Sequence, residues 1–190
     1  CLPDCNGKFR CDFNATRSFE NHSIELSNIY FIGLNYKEKG AAVFAYNYQI
    51  YCHDSNFTSC VSDGFGGGGI YLYLNAIIDQ PIKLENLRFV KCSAVYGGAV
   101  FIYSNQKENL IEILNCFFSE NTANDKASDN GDIYFDGSAI FMTSKNGNVN
   151  NCIFTNNSGS GFKIYNKFKI LKNGKRVKKD VSIFISDCVF

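Results

Sequence analysis

The stretch Leu87–Phe101 (LRFVKCSAVYGGAVF) contains both halves of a repeat that decides the fold. The first half, the Phe motif, is a short run ending in Phe89. The second half, the Gly motif, is a triplet of small residues that leads into apolar residues, as in Gly97-Gly98-Ala99-Val100. The motifs alternate along the chain, with successive Phe anchors 26 to 36 residues apart. Phe motifs end at Phe31, Phe57, Phe89, Phe118, Phe154 and Phe190, and Gly motifs begin at Gly40, Gly67, Gly97, Gly137 and Gly159.

Each motif has the pattern of a β-strand. Residues Ile111–Phe118, which end in a Phe anchor, alternate apolar with polar side chains, and this predicts a strand with one buried face. The Gly triplet permits close backbone packing and positive φ before a second short strand begins. Because one repeat is too small to bury its own apolar face, successive repeats must stack on one another. The sequence therefore predicts an all-β protein, a parallel β-helix of about six coils in the manner of the pectate-lyase solenoids.

The register of the repeat predicts columns of stacked side chains. The Phe anchors are expected to lie over one another inside the coils, with a second inward column two residues before them. The corner three residues after the anchors is expected to carry Leu34, Cys60, Cys92, Asn121 and Asn157, and Asn there can bond to its neighbour along the stack. We expect an amino-terminal cap at residues 1–23 and the β-helix at residues 24–190. Insertions at about 122–136 and 166–180 are predicted loops.

Nine cysteines in 190 residues indicate an oxidising compartment. Three of them crowd the start of the chain, and we expect them to staple the cap together with Cys52. Cys60 and Cys92 occupy equivalent corners and are expected to bond to each other. A zinc site with His22 or His53 is the alternative, but the cysteine spacing matches no structural zinc pattern, so we predict no metal and no cofactor. The disulfide candidates are Cys1, Cys5, Cys11, Cys52, Cys60 and Cys92.

Modification and charge add two further predictions. Four Asn-x-Ser/Thr triplets make Asn14, Asn21, Asn56 and Asn156 candidates for N-glycosylation, which mildly supports secretion. The net charge of +1 gives no general attraction to nucleic acid. Eight basic residues and no acidic ones lie within residues 163–179, around the hairpin signal Asn173-Gly174. This hairpin either binds polyanions or is an ordinary solvated hairpin. The polyanion-binding candidates are Lys172, Lys175, Arg176, Lys178 and Lys179.

The repeats resemble those of the polymorphic outer-membrane proteins, the Pmp family of chlamydial and protist surface proteins. The motifs that carry the resemblance are Gly-Gly-Ala-Val at 97–100, Gly-Ser-Ala-Ile at 137–140, and Phe-x-x-Asn at 118–121 and 154–157. The resemblance covers about residues 24–190 and implies a right-handed parallel β-helix on a cell surface, often in an adhesive role. The sequence departs from the family at Cys60 and Cys92, where Asn is expected, and these residues include no autotransporter barrel.

We therefore expect a non-catalytic extracellular or cell-surface protein with a structural or adhesive role. The last strand has no capping segment after it, so we expect it to continue into further sequence or to dock on another copy, end to end, as in a filament. No membrane span, nucleic-acid partner or catalytic residue is predicted. One alternative is a carbohydrate-active enzyme on acidic polysaccharide that uses Glu85 or Glu112. The other is a glycan-binding module that uses Tyr71, Tyr73 and Tyr103.

Overall fold

The computed structural model describes residues 2–3, 9–14, 23–124, 137–158, 161–164, 169–170, 176–177 and 182–190. All regular secondary structure within them is β. The strands, in chain order, are β1 (Leu2–Pro3), β2 (Phe9–Asn14), β3 (Ser23–Ser27), β4 (Tyr30–Ile32), β5 (Asn35–Tyr36), β6 (Val43–Tyr46), β7 (Gln49–His53), β8 (Asn56–Thr58), β9 (Val61–Ser62), β10 (Ile70–Leu74), β11 (Ile82–Glu85), β12 (Arg88–Val90), β13 (Ser93–Ala94), β14 (Val100–Ser104), β15 (Leu110–Leu114), β16 (Phe117–Ser119), β17 (Thr122–Ala123), β18 (Ile140–Thr143), β19 (Asn146–Asn150), β20 (Ile153–Thr155), β21 (Phe162–Ile164), β22 (Lys169–Ile170), β23 (Arg176–Val177) and β24 (Ser182–Ser186).

All but β22 and β23, which form a two-stranded sheet of their own, belong to four sheets in which equivalent strands of successive repeats are parallel neighbours. The Gly-motif sheet has the order β1-β2-β6-β10-β14-β18-β21, in which only β1 pairs antiparallel. The long-strand sheet has the order β24-β19-β15-β11-β7-β3, and the Phe-motif sheet has the order β20-β16-β12-β8-β4. The corner sheet has the order β17-β13-β9-β5. This arrangement of stacked parallel sheets is compatible with the predicted parallel β-helix.

The Phe motif spans two strands instead of one continuous strand. A residue with left-handed backbone precedes each short strand of the Phe-motif sheet, for example Asn86 (φ 53°) before β12 and Asn115 (φ 55°) before β16. A second such residue follows it, for example Lys91 (φ 56°) after β12. These residues turn the chain sharply at both ends of a three-residue strand, because a single left-handed residue breaks the extended conformation and bends the backbone toward the next sheet.

The predicted Phe column is present in the core. The rings of Phe31, Phe57, Phe89, Phe118, Phe154 and Phe190 stack in order, with centroids 4.6 to 5.0 Å apart and planes within 16° of parallel. This spacing equals the separation of neighbouring strands, so each ring lies over the equivalent ring of the next repeat. The prediction that Phe118 and Phe154 lie directly over one another is confirmed, at 4.9 Å.

The two other predicted columns are also present. Of the residues two positions before the anchors, Ser55, Leu87, Cys116 and Cys152 are buried. At the corner, Asn121 donates to the Phe89 carbonyl (3.2 Å) and accepts from the Cys92 backbone N–H (2.9 Å). Asn157 accepts from Asn121 in the same way (3.0 Å). The asparagine ladder therefore satisfies buried backbone groups from one repeat to the next.

The Gly motif allows successive repeats to approach closely. The first glycine of the motif has left-handed backbone, as at Gly67 (φ 66°) and Gly97 (φ 56°). A Cβ added to Gly68 would lie 2.4 Å from the Gly98 carbonyl oxygen and 2.5 Å from that of Cys60. The first glycine is thus required by the left-handed turn, and the second is required because the backbones of neighbouring repeats leave no space for a side chain.

The structure describes parts of the predicted cap and of both predicted loops. In the cap segment, β2 pairs parallel with β6, so this part of the chain is already a strand of the Gly-motif sheet. Thr122–Ala123, at the start of the first predicted loop, forms β17, and residues 125–136 lie outside the described residues. In the second predicted loop, at about 166–180, strands β22 and β23 pair antiparallel on either side of Asn173-Gly174, as a hairpin requires.

Candidate functional site

A group of polar side chains joined by hydrogen bonds lies on the outer face of the long-strand sheet, and we call it the His53 cluster: Glu25, Tyr51, His53, Asp54 and Glu85. His53 Nδ1 lies 2.7 Å from Asp54 Oδ2, and His53 Nε2 lies 2.9 Å from Glu25 Oε1. The Tyr51 hydroxyl donates to Glu85 Oε2 at 3.0 Å. The Tyr51 ring also stacks on the imidazole, with centroids 4.3 Å apart. Three successive strands of the sheet, β3, β7 and β11, therefore contribute to one cluster.

The contacts of His53 favour its charged form. Both ring nitrogens face carboxylates, and only the imidazolium can donate from both at once. The hydrogen bond to Asp54, followed by that to Glu25, raises the pKa of His53 above its ordinary value. The same contact with His53, together with one from Asn86, lowers the pKa of Asp54. The hydrogen bond to Glu85 raises the pKa of Tyr51, because the bond stabilises the neutral phenol.

This arrangement limits the chemistry that the cluster can perform. His53 has no free nitrogen to act as a base, and Glu85 is occupied by Tyr51. Three carboxylates against one imidazole also make the cluster negative, so it repels an acidic polysaccharide. Glu112, the other predicted acid, lies in a different column and faces Lys83 at 3.6 Å. The structure thus places the two acids of the enzyme alternative in separate surroundings.

The outer face of the Gly-motif sheet carries two aromatic columns. One contains Phe44, Tyr71, Phe101 and Phe141, with centroids 4.8 to 5.5 Å apart, and the other contains Tyr46, Tyr73 and Tyr103, at 5.4 and 4.6 Å. Tyr71, one of the residues of the glycan-binding alternative, is buried between its neighbours in the column and under Lys39. In both columns the rings lie face to face, so their faces are not open for stacking on a sugar.

Three of the predicted disulfide residues are free thiols: Cys52, Cys60 and Cys92. Cys52 points into the core between Leu26 and Leu84, so no cysteine stands opposite it. Its pKa is raised to about 12 by burial. Cys60 and Cys92 are neighbours whose thiols contact each other without a disulfide bond, and each thiol also donates to a backbone carbonyl, that of Phe31 (3.6 Å) and that of Phe57 (3.5 Å).

The remaining cysteines divide as follows. Cys11 is disulfide-bonded and fully buried, while Cys1 and Cys5 lie outside the described residues. Cys116 and Cys152 are buried free thiols, as the repeat predicts, and Cys188 is a partly exposed one. Burial raises the pKa of Cys116 well above its usual value. These thiols behave as small apolar side chains of the core.

Two of the four glycosylation candidates lie on described surfaces. Asn56 begins β8 and is half-buried, and Asn156 is exposed at a left-handed corner (φ 54°). The side chain of Asn14 and all of Asn21 lie outside the described residues. The same holds for the side chains of the polyanion-binding candidates Lys172, Lys175, Arg176, Lys178 and Lys179, of which only the Arg176 backbone is described.

A column of Asn and Asp residues lies at the corner before the Phe-motif sheet and was not predicted. Some of its members are linked: Asn86 donates to Asp54 (3.0 Å) and Asn151 donates to Asn115 (2.9 Å). The signal was readable, because Asn or Asp stands three residues before every Phe anchor. These left-handed residues are Asn28, Asp54, Asn86, Asn115, Asn151 and Asp187, with φ between 49° and 55°.

Within the described ranges, no group of three or more His, Cys, Asp or Glu side chains has the geometry of a metal site. The same part of the chain has no helix long and apolar enough to cross a membrane. Comparisons with family models, curated proteins and solved structures found no match for this chain.

Proposed function

We propose that this chain is a non-catalytic protein of the cell surface or extracellular space, with a structural or adhesive role. In this proposal the four stacked sheets are the faces of a right-handed parallel β-helix of about six coils, with a disulfide-bonded amino-terminal cap. The observation that carries the proposal is the Phe column, an unbroken stack of rings through all the repeats. A continuous core of this kind makes a stiff, extendable scaffold, since each repeat contacts only its neighbours.

The surface columns support a structural role. On the outer faces, aromatic side chains pack on aromatic side chains, and His53 and Tyr51 bind carboxylates of neighbouring strands. These polar and aromatic groups hold successive repeats together, and that leaves few of them directed at a small substrate.

An extracellular location is supported by three independent features. Cys11 is disulfide-bonded, which is typical of oxidising compartments. The glycosylation triplets at Asn56 and Asn156 lie at the surface of the sheets. The repeats also resemble those of the Pmp family, whose members are displayed on cell surfaces.

Self-association belongs to this proposal because the two ends of the stack differ. In the first repeat, the inward residues Leu26 and Phe31 are 6% and 5% exposed. In the last repeat, the inward residues Ile185 and Phe190 are 43% and 70% exposed. An additional layer of β structure would cover these side chains, and either further sequence after residue 190 or a second copy of the chain, docked end to end, can supply such a layer.

Sedimentation velocity over a range of concentrations, with electron microscopy of the same samples, tests this proposal. We expect elongated particles that grow in length with concentration. The double variant Ile185→Asp, Phe190→Asp is expected to abolish growth, whereas Ile77→Asp, a similar change at an exposed position away from both ends, is expected to leave it intact. Compact particles whose mass is the same at every concentration and in every variant would contradict the assembly part of the proposal.

The second candidate function is a carbohydrate-active enzyme, and the His53 cluster is the observation that favours it. The cluster gathers carboxyl, phenol and imidazole groups on one exposed face, and these are the groups of general acid–base catalysis. Neutral and acidic polysaccharides are therefore tested for new reducing ends and for unsaturated uronates. We expect no turnover; an activity that Glu85→Gln or His53→Gln removes would replace the structural proposal.

A further inference from the structure

One of the glycosylation triplets lies beside two exposed apolar side chains at the edge of the Phe-motif sheet, with Arg88 and Val90 on its other side. In β8, Phe57 points into the core, so Asn56 and Thr58 both point outward from the Phe-motif sheet. The neighbouring strand β4 places Tyr30 beside Asn56 and Ile32 beside Thr58. These two apolar side chains are 71% and 63% exposed.

Exposure of this kind needs an explanation, because large apolar side chains side by side on a flat sheet promote association or mark a binding surface. The outer face of the Phe-motif sheet is only three residues wide, which is too small for a stable protein dimer; such interfaces bury about 800 Å² per partner. A small covering group attached within the surface fits its size better.

The Asn56 side chain is available to carry such a group. Its amide makes no hydrogen bond to any of the described residues, unlike the ladder residues Asn121 and Asn157. Asn56 and Thr58 also form the acceptor triplet together on one face. The other described triplet differs: Asn156 projects from a corner and has Asn157, a residue of the ladder, as its middle member.

We propose that Asn56 carries an N-linked oligosaccharide whose innermost N-acetylglucosamine units cover Tyr30 and Ile32. The inference rests on the proposed extracellular location. In the reaction, a lipid-linked oligosaccharyl diphosphate is the donor: the bond from sugar C1 to the diphosphate oxygen breaks, and a bond from C1 to Asn56 Nδ2 forms. The amide nitrogen loses one proton, and the diphosphate leaves with the electron pair.

The backbone around Asn56 sets the order of events. The Asn56 N–H donates to the Ile29 carbonyl, and the Ser55 carbonyl accepts from Arg88, so the acceptor segment is paired on both sides once the protein has folded. A transferase that needs an accessible extended segment must act before β8 pairs with its neighbours. The oligosaccharide is therefore added to the unfolded chain, and the sheet then folds beneath it.

The first experiment maps glycopeptides of the full chain secreted from a eukaryotic cell line. We expect Asn56 to be occupied, Thr58→Ala to remove that glycan, and the control Ser158→Ala to leave it in place. Occupancy at Asn156 without Asn56 would overturn this inference and leave the extracellular proposal standing. A chain that is not secreted and has neither site occupied would overturn both.

The second experiment tests whether the sugar covers the apolar surface. We expect nuclear Overhauser contacts between the N-acetyl methyl protons and the Tyr30 ring in the glycosylated chain. Thr58→Ala is expected to increase the fluorescence of a bound hydrophobic dye by about twofold or more, since it uncovers an apolar patch, and Ser158→Ala is expected to leave it unchanged. Adding Tyr30→Ser and Ile32→Ser to Thr58→Ala should reverse the increase. An equal response to Thr58→Ala and Ser158→Ala would reject the covering role.

Discussion

Replacing Phe118 by alanine is the most direct way to test whether the Phe column stabilises the protein. Phe118 is fully buried, and its ring stacks on Phe89 (5.0 Å) on one side and Phe154 (4.9 Å) on the other. Truncation of a buried Phe costs about 3–5 kcal/mol, and the loss of two stacked partners favours the upper part of that range. Urea unfolding is followed by far-ultraviolet circular dichroism and tyrosine fluorescence, since the chain has no Trp.

The neighbouring residue provides a matched control. Phe117 lies on the same strand, points outward, and carries the Arg88 guanidinium 4.3 Å above its ring. Phe117→Ala is expected to lower the free energy of unfolding by only about 1 kcal/mol, mostly through the lost cation–π contact. If Phe118→Ala does not fold, Phe118→Leu is measured instead, with an expected loss of about 1.5 kcal/mol. Equal losses at positions 117 and 118 would refute the inward column as the main source of stability.

Four further predictions follow from individual contacts. Asn121→Ala strips the buried Cys92 N–H of its partner and should lower the free energy of unfolding by about 1–3 kcal/mol in urea titrations. Gly68→Ala places a Cβ against three carbonyl oxygens and should lower the melting temperature in calorimetry, whereas a change at Gly161, where a Cβ would make only ordinary contacts with Phe154, should matter less. His53→Gln should destabilise the protein most below about pH 6.5, the ordinary value for histidine. Because the folded-state pKa of His53 is raised, its contribution is lost as the pH rises through that value, so urea midpoints of variant and parent should converge in alkali. Iodoacetamide should label Cys52 only after unfolding, as mass spectrometry would detect, because burial keeps its thiol protonated and inaccessible.

Much of the core was predictable because the repeat encodes it locally. An alternation of period two assigns each residue to the inside or the outside, and the constant position of the anchors then fixes which residues stack. Phe118 over Phe154 and Asn121 beside Asn157 follow from that alone. The corners before the Phe-motif sheet were also predictable from local sequence, because Asn and Asp are the residues that tolerate left-handed backbone.

The His53 cluster was harder to predict because it depends on register between repeats of unequal length. Glu25, His53 and Glu85 are separated by 28 and 32 residues, so no fixed spacing brings them together. The interpretation of Cys52 failed for a related reason. Its closeness in sequence to the amino-terminal cysteines suggested a staple, but alternation along β7 directs its side chain into the core.

The direction of the backbone hydrogen bonds between repeats has a mechanical consequence. In parallel sheets these bonds run from strand to strand, along the stacking direction, so tension applied at the two ends of the stack loads one layer of bonds at a time. Each rupture would release one repeat of 26 to 36 residues, or roughly 85 to 120 Å of extended chain, and the protein would lengthen under load in steps instead of failing all at once.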